Sequence, residues 1–394
     1  METVILPNDA AAVIVYSHRV YSQALRSCQV AKLGALSLNP RDQTQFVQYF
    51  DELAKGPGAT LKYDLLPNPQ GPGVLGDGTV AGQEVPQNPF TDSFIIDQLR
   101  QPILLVGRMS QQRVPYSMRD GAKTGLANWA KEMLDYGFCN QAAGNTFQTT
   151  VNYTGLNPTL APTADHWIIQ GHGTNASGGT EAMLGAGDTT DLQTIPSIVA
   201  MARTFQFPIK PVVIKGIEIA GVLFLHPYQV RDLKKNFTPG QWGDIYRAAI
   251  QGGQVTGNPL FTGAIGMLDG VVIHEDAHIP WGDTTQNVVF SPQLGTTTPA
   301  PNALGAAAVG TTNVARGFFV GAQALAFACG AADQTADGKP LRVRWVEELL
   351  DAANQLRVTV GMVFGIHKTQ FNTGSGASDY AVITYSSYAS ATGV

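Results

Sequence analysis

An α+β fold is what this chain of 394 residues predicts, and three observations carry the prediction. Helix-like and strand-like segments mix along the sequence without a regular βαβ repeat or an internal duplication. One segment, Ser117 to Gly144, reads as a single helix of unusual length. Ahead of it, two strand-like runs flank "PNPQGPGVLGDGTVAGQEVPQNP", residues 67–89. That stretch is too rich in Pro and Gly for a helix or central strand, and too long for an ordinary loop in a compact domain.

Taken in order, residues 1–56 hold polar–apolar stretches such as "SHRVYSQALRSCQVAKLG", helix-like but with no partner nearby, and read as an arm. "ATLKYDLL", residues 59–66, puts Leu61, Tyr63 and Leu65 on one face, the period of a half-buried strand. "TDSFIIDQLRQPILLVGRM", residues 91–109, returns as one long strand or two, so the pair makes a hairpin projecting from the body. The long helix opens at Ser117 with Asp120 three residues on, as in a capping box. Ala122, Leu126, Trp129, Met133 and Phe138 then recur at mostly three- and four-residue intervals until Gly144 ends it. At 1.5 Å per residue this is a beam of roughly 40 Å, with Leu126, Trp129, Met133 and Phe138 as its core face and nothing titratable in the stripe.

"LQTIPSIVAMARTF" predicts a second helix. "PVVIKGIEIAGVLFLHPYQVRDLKK" predicts two short strands joined near Gly216 and a helix after His226-Pro227. "PGQWGDIYRAAIQGG" predicts a short helix, "NPLFTGAIGMLDGVVIHEDAHIP" a turn and a strand, and "NVARGFFVGAQALAFACG" a strand followed by a helix. "VRWVEELLDAANQLRVTVGMVFGIHKTQF" and "DYAVITY" bring strands back to pair beside the long helix.

Composition narrows the function. Charged residues are only 14% of the chain, against about 25% in ordinary soluble domains. A surface so poor in charge expects neighbours to cover it, which points to self-association. A net charge of −5 excludes a globally basic nucleic-acid binder. Cys28, Cys139 and Cys329 are odd in number and far apart, so they read as buried thiols of a reducing compartment. No signal-type segment opens the sequence, and "AAAVIVY" is too short to span a bilayer. The sequons at Asn152, Asn175 and Asn236 are then coincidental.

Three motifs invite chemistry. In "GVVIHEDAHIPWG", His274, Glu275 and His278 match the H-E-x-x-H spacing by which a helix binds zinc and holds a general base. The segment itself predicts a strand, because Val271, Val272 and Ile273 are β-branched, Asp269-Gly270 is a turn pair and Pro280 follows Ile279. Along a strand, Cα atoms four apart are about 13 Å from each other and cannot share one metal ion. Gly71, Gly73 and Gly76 spell G-x-G-x-x-G, but prolines stand where a dinucleotide site needs a strand. "GHGTNASGGTEAMLGAG", residues 171–187, lacks the G-K-[ST] ending of a phosphate loop and reads as a flexible or partner-ordered loop.

Four segments, in this order and spacing, carry a resemblance: "GRMSQQRVPYSMRDGAKTGLANWAKEMLD", "GVLFLHPYQVRDLKK", "NPLFTGAIGMLDGVVIHEDAHIP" and "GMVFGIHKTQFN". Together they resemble the major capsid proteins of tailed phages with the Hong Kong 97-like fold. The resemblance implies an N-arm at 1–56, an extended E-loop hairpin with flanking strands at 57–109, and a P-domain with its spine helix at 110–207. It implies an A-domain at 208–337 and returning P-domain strands at 338–394. It further implies hexamers and pentamers of this chain in an icosahedral shell around packaged double-stranded DNA, assembled in the host cytoplasm, with no enzymatic activity, cofactor, metal or membrane. Portal, scaffolding and decoration proteins are the implied partners; nothing the size of a cleavable assembly segment precedes the hairpin, so scaffolding is expected from a separate protein. Lys55 and Lys62 match no crosslinking motif, and no covalent crosslink is carried over.

On this reading Pro72, Leu75, Val80 and Glu84 at the hairpin tip, and His274, Glu275 and His278 in the A-domain, are assembly contacts. Arg108, Arg113, Arg119 and Lys123 touch the genome without sequence preference if their helix face points inward. The alternatives are a tail-tube or decoration protein, and a zinc metallohydrolase built on His274, Glu275 and His278.

Overall fold

The computed structural model describes Cys28 and residues 43–51, 58–65, 73–77, 79–82, 89–105, 107–205, 207–214, 217–236, 264–282, 288–291, 296–304, 313–331, 333–334, 340–341, 343–352, 354–372 and 376–390. Most of the expected arm, the helix expected at 239–253, Gly71, Pro72, Glu84 and Lys55 lie outside the described residues.

Two sheets and one long helix organise the chain. The axis of the first sheet is the 14-residue strand Gln355–Lys368. It pairs antiparallel with Val343–Leu350 along its first half, with Asp97–Leu105 from Leu356 to Phe364, and with Leu325–Cys329 from Phe364 to Lys368. Val47–Phe50 closes this five-stranded sheet by pairing parallel with Leu325–Cys329. The second sheet has eight strands. Its path runs from Ala264–Leu268 through Val271–Glu275, Gly221–Leu225, Val314–Val320 and Val382–Tyr388 to Trp167–Ile169 and Gly173–Thr174, with Trp281–Gly282 on Val314–Val320. The mixed sheets and separate helices make the chain α+β. Sheet membership crosses the ranges drawn on the sequence: Leu325–Cys329, within 208–337, shares a sheet with Val343–Leu350 and Gln355–Lys368, and Val382–Tyr388, within 338–394, shares one with Gly221–Leu225 and Val314–Val320.

The long helix spans Met118–Ala143, 26 residues, or about 39 Å at 1.5 Å per residue. Ser117 caps it, its Oγ accepting the Asp120 N–H at 3.2 Å, and Gly144 ends it in the left-handed conformation that glycine adopts without a Cβ clash. Leu126, Met133 and Phe138 are buried and Trp129 is half-buried. The buried surface is wider than the one stripe expected, because from Met133 onward nearly the whole circumference is buried, including Asp135, Asn140 and Gln141. The two amides make this possible by bonding to loop carbonyls. Asn140 Nδ2 donates to Tyr153 O and Pro301 O at 2.9 and 2.8 Å, and Gln141 Nε2 donates to Thr154 O and Asn157 O at 2.7 and 3.0 Å. Here Gly137 lets the helix approach closely: a Cβ on it would sit 2.9 Å from Ile366 Cδ1 and 3.1 Å from the Gly155 backbone.

The remaining elements divide into expectations met and expectations revised. Thr194–Thr204 and Pro227–Asn236 are helices where helices were predicted, and Thr60–Leu65 pairs with Phe90–Ile95 as the hairpin. Val212–Ile214 and Ile217–Ile219 form the predicted short pair, with Gly221–Leu225 as a third strand after them. The run read as strand to Met109 instead stops at Leu105, and Arg108–Arg113 is a short helix. "ALAFACG" is not a helix either. Leu325–Cys329 is a strand with every residue buried, lying between two others, and alanine there serves close packing rather than helix formation.

Candidate assembly surfaces

The projecting hairpin is anchored at its root by a cluster that sequence reading missed. On the strand Phe90–Ile95, Asp92 Oδ2 accepts the Tyr63 hydroxyl at 2.8 Å and the Gln370 N–H at 3.1 Å, and lies 3.4 Å from His367 Nε2. Burial alone would push the Asp92 carboxyl up, but the contact and charge of His367, with the Gln370 amide and Tyr63 hydroxyl, hold it below its ordinary value. Phe94 stacks on the His367 ring at 5.9 Å, and Tyr63 meets Phe371 edge-on at 6.0 Å. Asn157 completes the root by bonding both ways to Ile95, accepting its N–H at 3.0 Å and donating to its C=O at 2.9 Å. Beside it, a cavity of about 470 Å³ opens between Leu65, Phe90, Phe205, Phe207 and Phe371.

Beyond that root, the described residues 73–77 and 79–82 are nearly all exposed. Leu75 is 96% and Val80 63% exposed, which in a lone subunit is an unfavourable placement for two aliphatic side chains. Residues 66–89 carry Asp77 and Glu84 and no Lys or Arg, so the tip is apolar and weakly acidic.

The five-stranded sheet presents two different faces. Directly paired residues share a face, so Trp345, Glu347, Val358 and Val360 point together into the core beneath the long helix. The opposite face carries Arg344 and Arg100, which flank Gly361 on its two neighbouring strands, and Arg357, which pairs with Glu348. The Arg100 stem lies over the glycine, 3.2 Å from where a Cβ would stand, and exposed Leu104 borders the patch. This face is open, basic and partly apolar.

On the helix side, Arg108 and Arg113 belong to the short helix Arg108–Arg113, while Lys123 is half-buried. Arg119 reaches inward: its guanidinium bonds Glu347 at 2.8 and 2.9 Å, and the same carboxylate accepts the Trp345 indole N–H at 2.8 Å. Part of its charge is thus committed to holding the helix on the sheet.

The H-E-x-x-H letters do not converge. Asp269 and Gly270, both with positive φ, turn Ala264–Leu268 into Val271–Glu275, and that strand ends at Glu275. His274 points inward at 2% exposure and packs 5.4 Å from Phe224, whereas Glu275 is exposed on the other face. His278 lies past the strand end in a turn, its Nδ1 2.6 Å from Asp276 Oδ1. Alternation along the strand separates His274 from Glu275, the end of the strand separates both from His278, and a contact role for His274 is corrected because the core covers it. Among the described residues no group of His, Cys, Asp and Glu is placed to hold a metal ion.

The glycine-rich loop at 171–187 is not loose. Glu181 reaches back into the eight-stranded sheet and takes Arg316 Nε and Nη2 at 2.6 and 2.8 Å, with the Ser386 hydroxyl at 2.6 Å. Arg316 Nη1 also donates to Gly144 O at 3.1 Å, the carbonyl at the end of the long helix, and its guanidinium lies 4.8 Å above the Trp167 ring. One buried pair therefore joins loop, sheet and helix. A second, Lys368 Nζ to Asp379 Oδ1 at 2.9 Å, pins the end of the long strand with help from Gln370 and the Thr163 amide. The signal for both pairs was legible as charged residues inside apolar runs, in "NVARGFFV" and "GMVFGIHKTQF", but nothing in those runs names the partners, of which Glu181 lies 135 positions from Arg316.

Comparison with known proteins now fits this geometry to a family. The family model described as "Phage capsid protein" matches residues 7–391. A major capsid protein of Pseudomonas phage KPP25 is 27% identical over 361 residues, covering 87% of each chain. Among solved structures, the capsid of Ralstonia phage GP4 superposes with a TM-score of 0.69 at 24% identity, covering 90% of this chain and 93% of that one. The capsid of cyanophage Pam1 follows with a TM-score of 0.63 at 19% identity, covering 89% and 90%. The fold is accordingly the Hong Kong 97-like capsid fold, and the chain belongs to the phage capsid protein family.

Proposed function

We propose that this chain is the major capsid protein of a tailed phage, assembling with copies of itself as hexamers and pentamers of an icosahedral shell around double-stranded DNA. Family membership along nearly the whole chain supports the reading, and the observation that carries it physically is the hairpin. A subunit that exposes Leu75 and Val80 on a long projection gains stability only when a neighbour covers them. The neighbour's basic sheet face around Arg100 and Arg344 is the complementary surface for a tip whose charges are Asp77 and Glu84. Each such contact is modest, and closure of the shell multiplies it.

Arg108, Arg113 and Lys123 on the helix side, with the exposed part of Arg119, are the residues for salt-dependent, sequence-independent contact with the genome. Portal and separate scaffolding proteins are the expected partners in assembly, in the host cytoplasm; Glu275 and His278 remain candidate contacts between subunits. Deleting residues 68–88 tests the reading. The shortened chain is expected to fold, with an unchanged circular dichroism spectrum, and to form no stable closed shells; normal, equally stable particles would overturn the hairpin's role.

A further inference from the structure

The turn after Val271–Glu275 carries a buried charge cluster against the long helix. Asp276 is nearly inaccessible, and its Oδ1 accepts both the His278 backbone N–H at 2.9 Å and His278 Nδ1 at 2.6 Å. Its Oδ2 faces Cys139 Sγ of the long helix at 4.0 Å. The same helix packs Tyr136 edge-on against the His278 ring at 4.8 Å, and Tyr153 backs Tyr136 at 6.2 Å. Asp135, also buried, adds a second carboxylate near the imidazole, while Lys131 opposes its charging from the same helix.

We propose that Asp276 and His278 form a proton-operated latch between this turn and the long helix. With the imidazolium present, two buried carboxylates favour the cation, Asp276 by direct contact and Asp135 through its charge. With the ring neutral, those carboxylates lose it, and the turn loosens from the helix.

Other groups facing the cluster do not reproduce this behaviour. His226, at the end of Gly221–Leu225, also feels Asp276, but burial lowers it to about 4, and its Nδ1 accepts the Tyr228 N–H at 3.3 Å as a neutral ring does. Burial, Asp276 and Asp135 raise the Cys139 thiol well above its ordinary value, and burial chiefly, with Glu132 next, raises the Tyr136 phenol. Glu275 is exposed to water. His278 differs: burial pulls it down, but its hydrogen bond to Asp276 and the charges of Asp276 and Asp135 outweigh that and raise it. For a group raised on folding, the stabilisation is fully present below the unfolded value near 6.5 and is lost as pH climbs through the folded value. The latch is closed below the ordinary histidine value and released as pH rises through the raised folded value.

Hydrogen exchange on the full chain, corrected for the intrinsic pH dependence of exchange, at about pH 5.5 and about pH 8.5 tests this. The wild type is expected to lose protection in residues 271–282 and 130–143 at the higher pH, while 355–368 stays unchanged. His278→Gln should be equally open at both pH values, and His278→Lys, whose charge persists, equally closed. Equal wild-type protection at the two pH values would overturn the proposal even if neither variant folded, as would a wild-type pH response persisting in His278→Gln.

Discussion

Removing Glu181 should expose how much of the subunit hangs on one buried pair. The Arg316 and Glu181 side chains are 6% and 3% exposed and joined by two short bonds. Replacing Glu181 by Ala leaves the guanidinium buried with only the Gly144 carbonyl and the Trp167 ring, and leaves the Ser386 hydroxyl, which still accepts the Trp167 indole N–H, without the acceptor for its own proton. Breaking a buried pair on one side costs about 3–5 kcal/mol, and the hydroxyl adds roughly 1 kcal/mol. Urea unfolding of the unassembled subunit should therefore register a loss of about 4 kcal/mol or more. Replacing both partners, Glu181→Leu with Arg316→Met, removes the uncompensated charge and should recover most of the loss. A single variant within about 1 kcal/mol of wild type, or a double variant as unstable as the single, would refute the reasoning.

Other perturbations act on the elements around the hairpin and on the sheet face proposed to receive it. Gly155 has φ +71°, and a Cβ on it would stand 2.4 Å from Ile366 Cβ, so Gly155→Ala should destabilise the subunit by more than about 2 kcal/mol in the same urea assay. Asp92 is lowered on folding, so its contribution is present above the ordinary carboxylate value near 3.8 and is lost as pH falls through the folded value. Hydrogen exchange in residues 60–65 and 90–95 should accordingly rise in strong acid, and Asp92→Asn should show the loosened hairpin already at neutral pH. Reversing charge with Arg100→Glu and Arg344→Glu should leave the fold intact by circular dichroism and reduce shell yield in electron micrographs, because the weakly acidic tip would then face like charge.

Much of this was readable from local pattern. The long helix announced itself by its cap, its stripe and its terminal glycine, and the hairpin by alternation on either side of a Pro/Gly-rich tip. What failed was what depends on distant partners. "ALAFACG" has helix-forming composition, yet neighbouring strands on both sides override propensity. The loop at 171–187 is full of glycine and looked mobile, but Glu181 finds Arg316, 135 positions away, and is tied down. His274 could be placed on a strand from its neighbours alone, but which face the core would cover required the sheet. The His278 latch was hidden for the same reason, since half of it stands on the long helix.

Electron microscopy of the expressed full chain tests the central claim most directly. The account predicts closed icosahedral shells, or the hexamers and pentamers that build them, with density for residues 68–88 lying across a neighbouring subunit. Tubes, rings of another symmetry, or subunits that never associate would contradict it.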